Sequence, residues 1–210
     1  LLKKDLKNNI VDVGRAKTME GDTVESVESK IIPKLAVKFI PIITGRLQRS
    51  FTIYTLFSIL KIPIGFLQAI YIILMEKPDV ILSFGGYVAV PVVISGWFFS
   101  VPIIIHEQTL VWGFSNKITS YFASKLAFAF QNNRKLNSRS VITGNPIRNS
   151  VIKLNRKISS DYKNICDCAI ENKLPLILIV GGNQGSHVIN IIVEEVISKL
   201  TKIACVIHVT

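Results

Sequence analysis

Short apolar runs alternate along this chain with longer segments of helical length, and most of the runs lead into glycine or polar residues. The clearest unit spans residues 79–109, where the apolar run 80–82 leads into two glycines and the run 103–105 leads into His106-Glu107-Gln108. The segment between these runs is long enough for one helix. Because strand–helix–strand units belong to parallel sheets, this stretch predicts the centre of an α/β domain.

The same alternation predicts further elements on both sides of this unit. Strands are expected at residues 10–13, 35–40, 126–130, 141–143, 176–180 and 203–208, and helices at 23–30, 51–75, 113–121 and 187–200. The helix that begins near Phe51 is expected to break near its middle, because Pro63 and Gly65 interrupt it. Residues 149–173 are polar and predict a linker or domain boundary, after which a second α/β unit begins.

In an open parallel sheet, ligands bind beyond the carboxyl ends of the strands. Gly85-Gly86 and His106-Glu107-Gln108 follow two predicted strands, so both are expected on that edge. Glycines at a helix start let the backbone approach a ligand and favour phosphate, although a simple tight turn has the same pattern. The His-Glu pair could serve acid/base chemistry, or the histidine could only cap a strand end.

Two further glycine segments follow predicted strands. In the segment 144–148, Arg148 could grip a phosphate or be solvated. The segment 181–185 has neither the G-x-G-x-x-G spacing nor the Lys-Ser/Thr of a P-loop, which disfavours a dehydrogenase or a nucleotide triphosphatase. A phosphate or sugar-nucleotide contact remains possible there.

The net charge of +11 and the pI of about 9.7 favour anionic partners, which are nucleic acid, acidic lipid or phosphorylated substrates. Basic residues do not interleave with aromatic ones, so nucleic acid is not expected. The apolar stretch between Phe51 and Met75 contains a single charge, and it could be a buried helix, a membrane span or an apolar face resting on anionic lipid. The flanking cations that favour the last interpretation are Lys34, Lys38, Arg46, Arg49 and Lys61.

The chain has three cysteines, Cys166, Cys168 and Cys205, which do not form a disulfide framework and are expected to be free thiols. No metal site is expected, because the histidines are spread over both predicted units.

Four motifs together resemble the MurG family of glycosyltransferases, in order and approximate spacing. They are Ser83-Phe84-Gly85-Gly86-Tyr87-Val88, His106-Glu107-Gln108, Gly144-Asn145-Pro146-Ile147-Arg148 and Gly181-Gly182-Asn183-Gln184-Gly185. Residues 28–34 and 45–47 also look like landmarks of that family's first domain. The resemblance covers nearly the whole chain.

The resemblance implies an α/β fold of GT-B type, with two Rossmann-like parallel-sheet domains facing a cleft. It implies inverting transfer of GlcNAc from UDP-GlcNAc to the 4-hydroxyl of undecaprenyl-pyrophosphoryl-MurNAc-pentapeptide (lipid I), which makes lipid II for peptidoglycan synthesis. No cofactor is implied. The implied location is the cytoplasmic face of the bacterial cell membrane, where the region between Phe51 and Met75 would contact anionic lipid as part of a peripheral protein.

On the acceptor side, the resemblance implies that Gly85, Gly86 and Tyr87 form a loop near the acceptor pyrophosphate. His106 and Glu107 are implied to support the cleft. The histidine that serves the family as proposed general base would precede Leu1, so no catalytic residue is assigned within this chain.

On the donor side, the resemblance implies contacts from Thr109, Arg148 and Asn183. Thr109 stands where the family usually has asparagine, and Asn183 stands where serine is usual, which puts donor affinity in question. The remaining residues of the family's third glycine loop are Gly181, Gly182, Gln184 and Gly185.

The expected domain plan is an acceptor-binding, membrane-associating domain at residues 1–148, a linker at 149–173 and the start of a UDP-GlcNAc-binding domain at 174–210. The first strand and glycine loop would precede Leu1, and the second domain is expected to be truncated, so the chain as given should not turn over. Open alternatives are another GT-B sugar-nucleotide enzyme, a catalytically dead membrane-surface fragment, and an integral membrane protein.

Overall fold

The computed structural model describes residues 9–17, 25–45, 53–131, 137–147, 149–152, 160–182 and 185–209. The chain divides into two compact units, Leu1–Pro146 and Ile147–Thr210. Every strand pair in both units is parallel, and helices connect most consecutive strands. The predicted α/β class is therefore confirmed.

In the first unit, the described strands form a two-stranded sheet of order β1-β2 and a four-stranded sheet of order β3-β4-β5-β6. The elements, in chain order, are β1 (Val11–Gly14), α1 (Val27–Lys34), β2 (Lys38–Pro41), α2 (Ile53–Glu76), β3 (Ile81–Ser83), α3 (Ala89–Phe98), β4 (Ile103–Glu107), α4 (Phe114–Thr119), β5 (Lys125–Phe128) and β6 (Ser140–Ile142). A single 3-10 turn, Ser120–Phe122, joins α4 to β5.

The four-stranded sheet is organised around β4, which is buried at four of its five positions. Ile103 and Ile105 of β4 pack with Val93 of α3 and Leu126 of β5 in one apolar cluster. Burial on this scale contributes about 1.5–3 kcal/mol for each large aliphatic side chain. This packing holds the carboxyl end of β4 in a fixed position.

Helix α2 continues without interruption from Ile53 through Pro63 to Glu76, so the predicted break was wrong. Tertiary packing maintains the helix, because its buried residues Ala69 and Ile72 join Ile42 in a second apolar cluster. Gly65 has a packing role instead, since a Cβ there would lie 2.8 Å from the carbonyl oxygen of Ile43.

Helix α1 begins after Ser26, later than the helix predicted at residues 23–30. The Ser26 hydroxyl accepts a hydrogen bond from the Ser29 amide at 3.1 Å and donates one to the Arg15 carbonyl at 2.6 Å. It therefore caps the helix and ties it to the end of β1. The earlier part of the predicted helix lies outside the described residues.

The second unit contains a parallel pair, β7 (Leu176–Val180) and β8 (Cys205–Val209), with helices α5 (Asn149–Ile152), α6 (Ser160–Glu171) and α7 (His187–Leu200). Helix α6 occupies much of the segment expected to be a linker. The sequence of α6 is mostly polar, but one narrow face of the helix packs against the unit and buries Ala169.

No helix in the part of the chain that the structure describes is long and apolar enough to cross a membrane.

Candidate functional site

The carboxyl ends of β3, β4 and β6 carry the polar motifs of the first unit, and the structure brings parts of all three together. His106, the fourth residue of β4, is buried, and its Nε2 hydrogen-bonds to the carbonyl oxygen of Gly144 at 3.0 Å. Its ring also lies beside that of Phe84, with the centroids 5.6 Å apart. The three segments thus share one edge, as the parallel arrangement requires.

The hydrogen bond to Gly144 determines which histidine nitrogen carries a hydrogen. A carbonyl oxygen can only accept, so Nε2 must donate to it. The opposite nitrogen, Nδ1, is buried and has no hydrogen-bond partner among the described residues. His106 therefore holds the segment after β6 against the end of β4.

Glu107, the last residue of β4, is buried and points into a different set of groups. Its Oε1 accepts hydrogen bonds from the Thr109 amide at 3.0 Å and the Thr109 hydroxyl at 2.8 Å. Its Oε2 accepts from the Gly113 amide at 3.2 Å and from Asn116 Nδ2 at 2.9 Å. One carboxylate thus fastens the whole connection between β4 and α4.

These contacts also determine the ionisation of Glu107. Burial by itself would raise the pKa of the carboxyl, but the hydrogen bonds from Asn116, Thr109 and Gly113 together outweigh burial and lower the pKa below its usual value. Glu107 is consequently an anion that accepts four hydrogen bonds from the residues that follow β4, up to Asn116 in α4. This arrangement suits a positioning role better than general acid/base chemistry.

His106 and Glu107 therefore do not form an acid/base couple. Each hydrogen-bonds to different groups, as expected for neighbours in an extended strand. Thr109 is also engaged internally, since its hydroxyl lies 2.8 Å from Glu107 Oε1 and 2.6 Å from the Val111 carbonyl oxygen.

The glycine pair after β3 has two distinct roles. Gly85 and Gly86 have φ angles of +89° and +81°, in the left-handed region that favours glycine. A Cβ at Gly85 would lie 2.6 Å from Asn116 Oδ1, so this glycine permits close packing. At Gly86, no described atom lies within 4 Å of the Cβ position, so this backbone faces open space.

The start of helix α3 lies directly beyond this open backbone. None of the described side chains caps it, and the Ala89 amide donates a hydrogen bond back to the Gly86 carbonyl oxygen at 3.1 Å. An uncapped helix start carries free N–H groups and a partial positive charge, which suit an anion.

A cation–π contact joins the ends of β1 and β3. The guanidinium carbon of Arg15 lies 5.1 Å from the centroid of the Tyr87 ring. This contact brings a basic side chain to the same edge as the glycine pair.

The family of the chain follows from comparison with known proteins. Residues 22–128 match the glycosyltransferase family 28 N-terminal domain. The chain belongs to glycosyltransferase family 28. The matched residues include β3, β4 and the loops that carry the glycine pair and His106-Glu107.

Two relatives of this chain share the name UDP-N-acetylglucosamine--N-acetylmuramyl-(pentapeptide) pyrophosphoryl-undecaprenol N-acetylglucosamine transferase. A Clostridium botulinum relative is 33% identical over 189 residues, which are 89% of this chain and 52% of the relative. A Clostridium kluyveri relative is 34% identical with the same coverage. The resemblance to the MurG family is confirmed, and the chain spans about half the length of these curated relatives.

Solved structures agree with this family 28 assignment. Acinetobacter baumannii MurG is 25% identical, with a TM-score of 0.52 over 86% of this chain and 43% of that one. The S. aureus MnaA–UDP structure has a TM-score of 0.59 over 95% of this chain and 61% of that one, at 14% identity, which shows the fold alone. The predicted GT-B fold type is confirmed.

In the second unit of this family 28 chain, the described glycines before α7 form a tight turn. Gly182 and Gly185 have φ angles of +85° and +69°, and a Cβ at Gly181 would lie 2.5 Å from the Ser186 amide nitrogen. The Ser186 hydroxyl caps α7 by accepting from the Ile189 amide at 3.4 Å. Three predicted site residues, Arg148, Asn183 and Gln184, lie outside the described residues.

Two residues that sequence reasoning missed are important to the geometry of the first unit. Asn116 connects Gly85 to Glu107, and Arg15 contacts Tyr87. Asn116 lies within α4, and Arg15 follows β1 outside the four sequence motifs. No local sequence pattern therefore indicated a role for either residue. Among the described residues, no group of three or more His, Cys, Asp and Glu side chains could hold a metal ion.

Proposed function

We propose that the chain supplies the acceptor-binding domain (residues 1–148) and the start of the donor-binding domain (residues 174–210) of an enzyme that makes lipid II. That enzyme would transfer GlcNAc from UDP-GlcNAc to the 4-hydroxyl of lipid I, with inversion. The observation that carries the proposal is 33% identity over 89% of the chain to a relative named as an N-acetylmuramyl-(pentapeptide) pyrophosphoryl-undecaprenol N-acetylglucosamine transferase. Arg148 and Asn183 are proposed as donor contacts by the same resemblance.

The geometry after β3 supports an acceptor pyrophosphate site at Gly85, Gly86 and Tyr87. Gly86 faces open space, and the uncapped start of α3 follows it. Backbone N–H groups at a helix start can neutralise part of a diphosphate charge without a bound cation. The nearby Arg15 guanidinium adds a positive charge on the same edge.

His106 and Glu107 are proposed to position this site and not to transfer protons. Glu107 accepts four hydrogen bonds that shape the β4–α4 connection, and His106 holds the segment that precedes Arg148. Thr109, the proposed donor contact, would need to exchange an internal hydrogen bond for one to a ligand.

A pair of matched glycine variants tests the acceptor site. Gly86→Ala and Gly182→Ala replace glycines of nearly equal φ, +81° and +85°, in open surroundings, so their intrinsic backbone cost should be similar at about 1–2 kcal/mol. Only the Gly86→Ala methyl group would enter the proposed pyrophosphate space. Titration with a water-soluble, short-chain lipid I analogue should therefore show at least tenfold weaker binding for Gly86→Ala alone.

Two results would overturn the acceptor assignment. One is equal affinity of the Gly86→Ala and Gly182→Ala variants for the analogue, and the other is an absence of binding by the unaltered chain. Trp97 and Trp112, the two tryptophans of the sequence, both lie in the first unit and provide the fluorescence signal. The chain alone is expected to form no lipid II analogue from UDP-GlcNAc, and measurable product would refute that expectation.

We also propose that helix α2 rests on anionic lipid. Among the side chains of α2 that the structure describes, the exposed apolar ones follow helical spacing along one face and are Ile64, Leu67, Tyr71, Leu74 and Met75. Lys61 lies on the same helix, and Lys77 follows its end. Exposed apolar surface near cations is typical of proteins that bind the surface of a membrane.

Liposome sedimentation tests this membrane surface. A Leu67→Gln/Tyr71→Gln variant removes two apolar side chains that are 68% and 64% exposed. The matched control, Val188→Gln/Ile170→Gln, changes residues that are 66% and 73% exposed in the second unit. Binding to phosphatidylglycerol vesicles should fall several-fold in the first variant only, and an equal fall in both would refute the assignment to α2.

A further inference from the structure

Two of the three cysteines meet in the second unit. Cys168 lies in α6 and Cys205 begins β8, yet their sulfur atoms are only 3.9 Å apart, with the Cys205 thiol donating to Cys168. Cys166, Cys168 and Cys205 are all free thiols. The predicted function uses none of them.

The topology explains why these cysteines are neighbours. After α6 the chain turns at Asn172 and enters β7 at Leu176, which pairs with Cys205 in the parallel register. The last turns of α6 therefore lie beside the start of β8. Ala169 and Ala204, next to the two cysteines in sequence, are both buried, and such small residues allow a helix to approach a strand closely.

The two thiols have different surroundings. Cys168 is exposed, and its sulfur accepts hydrogen bonds from Asn172 Nδ2 at 3.4 Å and from the Cys205 thiol. For Cys205, burial raises the pKa of the thiol. The hydrogen bond that it donates to Cys168, and the electrostatic interaction with Cys168, raise that pKa further. Cys168 is thus suited to react first and Cys205 to react second.

We propose that Cys168 and Cys205 form a reversible disulfide by exchange with a small-molecule disulfide such as oxidised glutathione. The sulfurs would approach from 3.9 Å to about 2.05 Å, a movement that side-chain rotation at an exposed helical position can supply. The bond would fasten α6 to β8 and so stiffen the second unit. This proposal does not depend on the transferase function.

The exchange balances without any further reactant. The Cys168 thiolate attacks one sulfur of oxidised glutathione, which breaks the glutathione S–S bond and releases one glutathione thiolate. The Cys205 thiol then loses its proton to that thiolate and attacks the Cys168 sulfur, which expels the second glutathione as a thiolate. This thiolate takes up the proton that Cys168 released on ionising. Two protein thiols are oxidised, and one oxidised glutathione is reduced to two glutathione molecules.

Mass spectrometry of the full chain tests the pairing. After anaerobic equilibration with oxidised and reduced glutathione, the unaltered chain should lose two hydrogen atoms, and non-reducing digestion should yield one peptide joining Cys168 to Cys205. Cys168→Ser and Cys205→Ser should each lack this species. Cys166→Ser is the matched control, because it removes a thiol from the same helix, and it should oxidise like the unaltered chain.

Hydrogen exchange then separates this bond from an incidental one. Oxidation should slow amide exchange in α6 and β8 and leave β3–β6 unchanged, and it should raise the melting temperature of the second unit by about 5–15 °C. A Cys166 linkage, persistent glutathione adducts on unpaired thiols, or unchanged exchange in α6 and β8 would overturn the proposal.

Discussion

Replacing Glu107 by glutamine should strongly destabilise the first unit. The carboxylate accepts two hydrogen bonds at each oxygen. A glutamine side chain has one oxygen and one NH₂ group. If its NH₂ group is turned toward Thr109, the Thr109 hydroxyl can accept from it and donate to the Val111 carbonyl oxygen, but the Thr109 amide is left facing a donor. A hydrogen bond to a charged group contributes about 1.5–3 kcal/mol, so losing this one costs about 1.5–3 kcal/mol.

This loss is a large share of the stability of a typical domain, which is about 5–15 kcal/mol. Urea unfolding followed by tryptophan fluorescence reports on the first unit, since Trp97 and Trp112 both lie there. With a slope of about 2 kcal/mol per molar urea, the midpoint should fall by about 0.8–1.5 M.

The matched control is Glu76→Gln, the same chemical change at an ion pair with the exposed Lys38. Glu76 Oε1 lies 2.7 Å from Lys38 Nζ, and such surface pairs contribute at most about 1 kcal/mol. If Glu107→Gln lowers the urea midpoint no more than Glu76→Gln does, the positioning role of Glu107 is wrong.

The pH dependence of the Glu107→Gln effect provides a second check. The pKa of Glu107 is lower in the folded unit than its usual value of 4.5. Its contribution to the free energy of unfolding is therefore complete above about pH 5 and is lost as pH falls through the folded pKa. The stability difference between the unaltered chain and the variant should shrink on acidification. Asp12, whose pKa is raised by burial and by Glu28, is common to both proteins, so its contribution cancels.

Two further substitutions test local geometry. Gly181→Ala should destabilise the second unit by about 1–3 kcal/mol, because its methyl group would lie 2.5 Å from the Ser186 nitrogen; hydrogen exchange of α7 would measure this, and unchanged exchange would contradict it. Ser26→Ala should cost about 1–2 kcal/mol in urea unfolding, since it removes the α1 cap and the bond to Arg15, and an unchanged midpoint would contradict it.

Strong local patterns made part of this structure predictable. β7 and α7 have the predicted bounds, because a continuous apolar run is followed by glycines and then by a helix that Ser186 caps. The shared edge of the first-unit motifs followed from parallel pairing alone. The position of these motifs at the carboxyl ends of the strands was therefore predictable from the sequence.

Other features depend on contacts that no local pattern reveals. Helix α2 continues through Pro63 because its buried face packs against Ile42, which directly follows β2. Helix α6 was not predicted, because its packing face is narrow and includes the small residue Ala169. The sequence showed Glu107 as half of a possible acid/base pair, and only the fold revealed the donors that surround it.

Asn116 makes two loops energetically dependent on each other. Its Nδ2 donates to Glu107, and its side chain occupies the space that a Cβ of Gly85 would need. Movement of the β4–α4 connection would therefore shift the packing surface of the glycine pair. In a double-mutant cycle, the stability effects of changes at Gly85 and Glu107 should therefore be non-additive. Each loop determines which side chains the other can accept, so the two loops would vary together in evolution and under engineering.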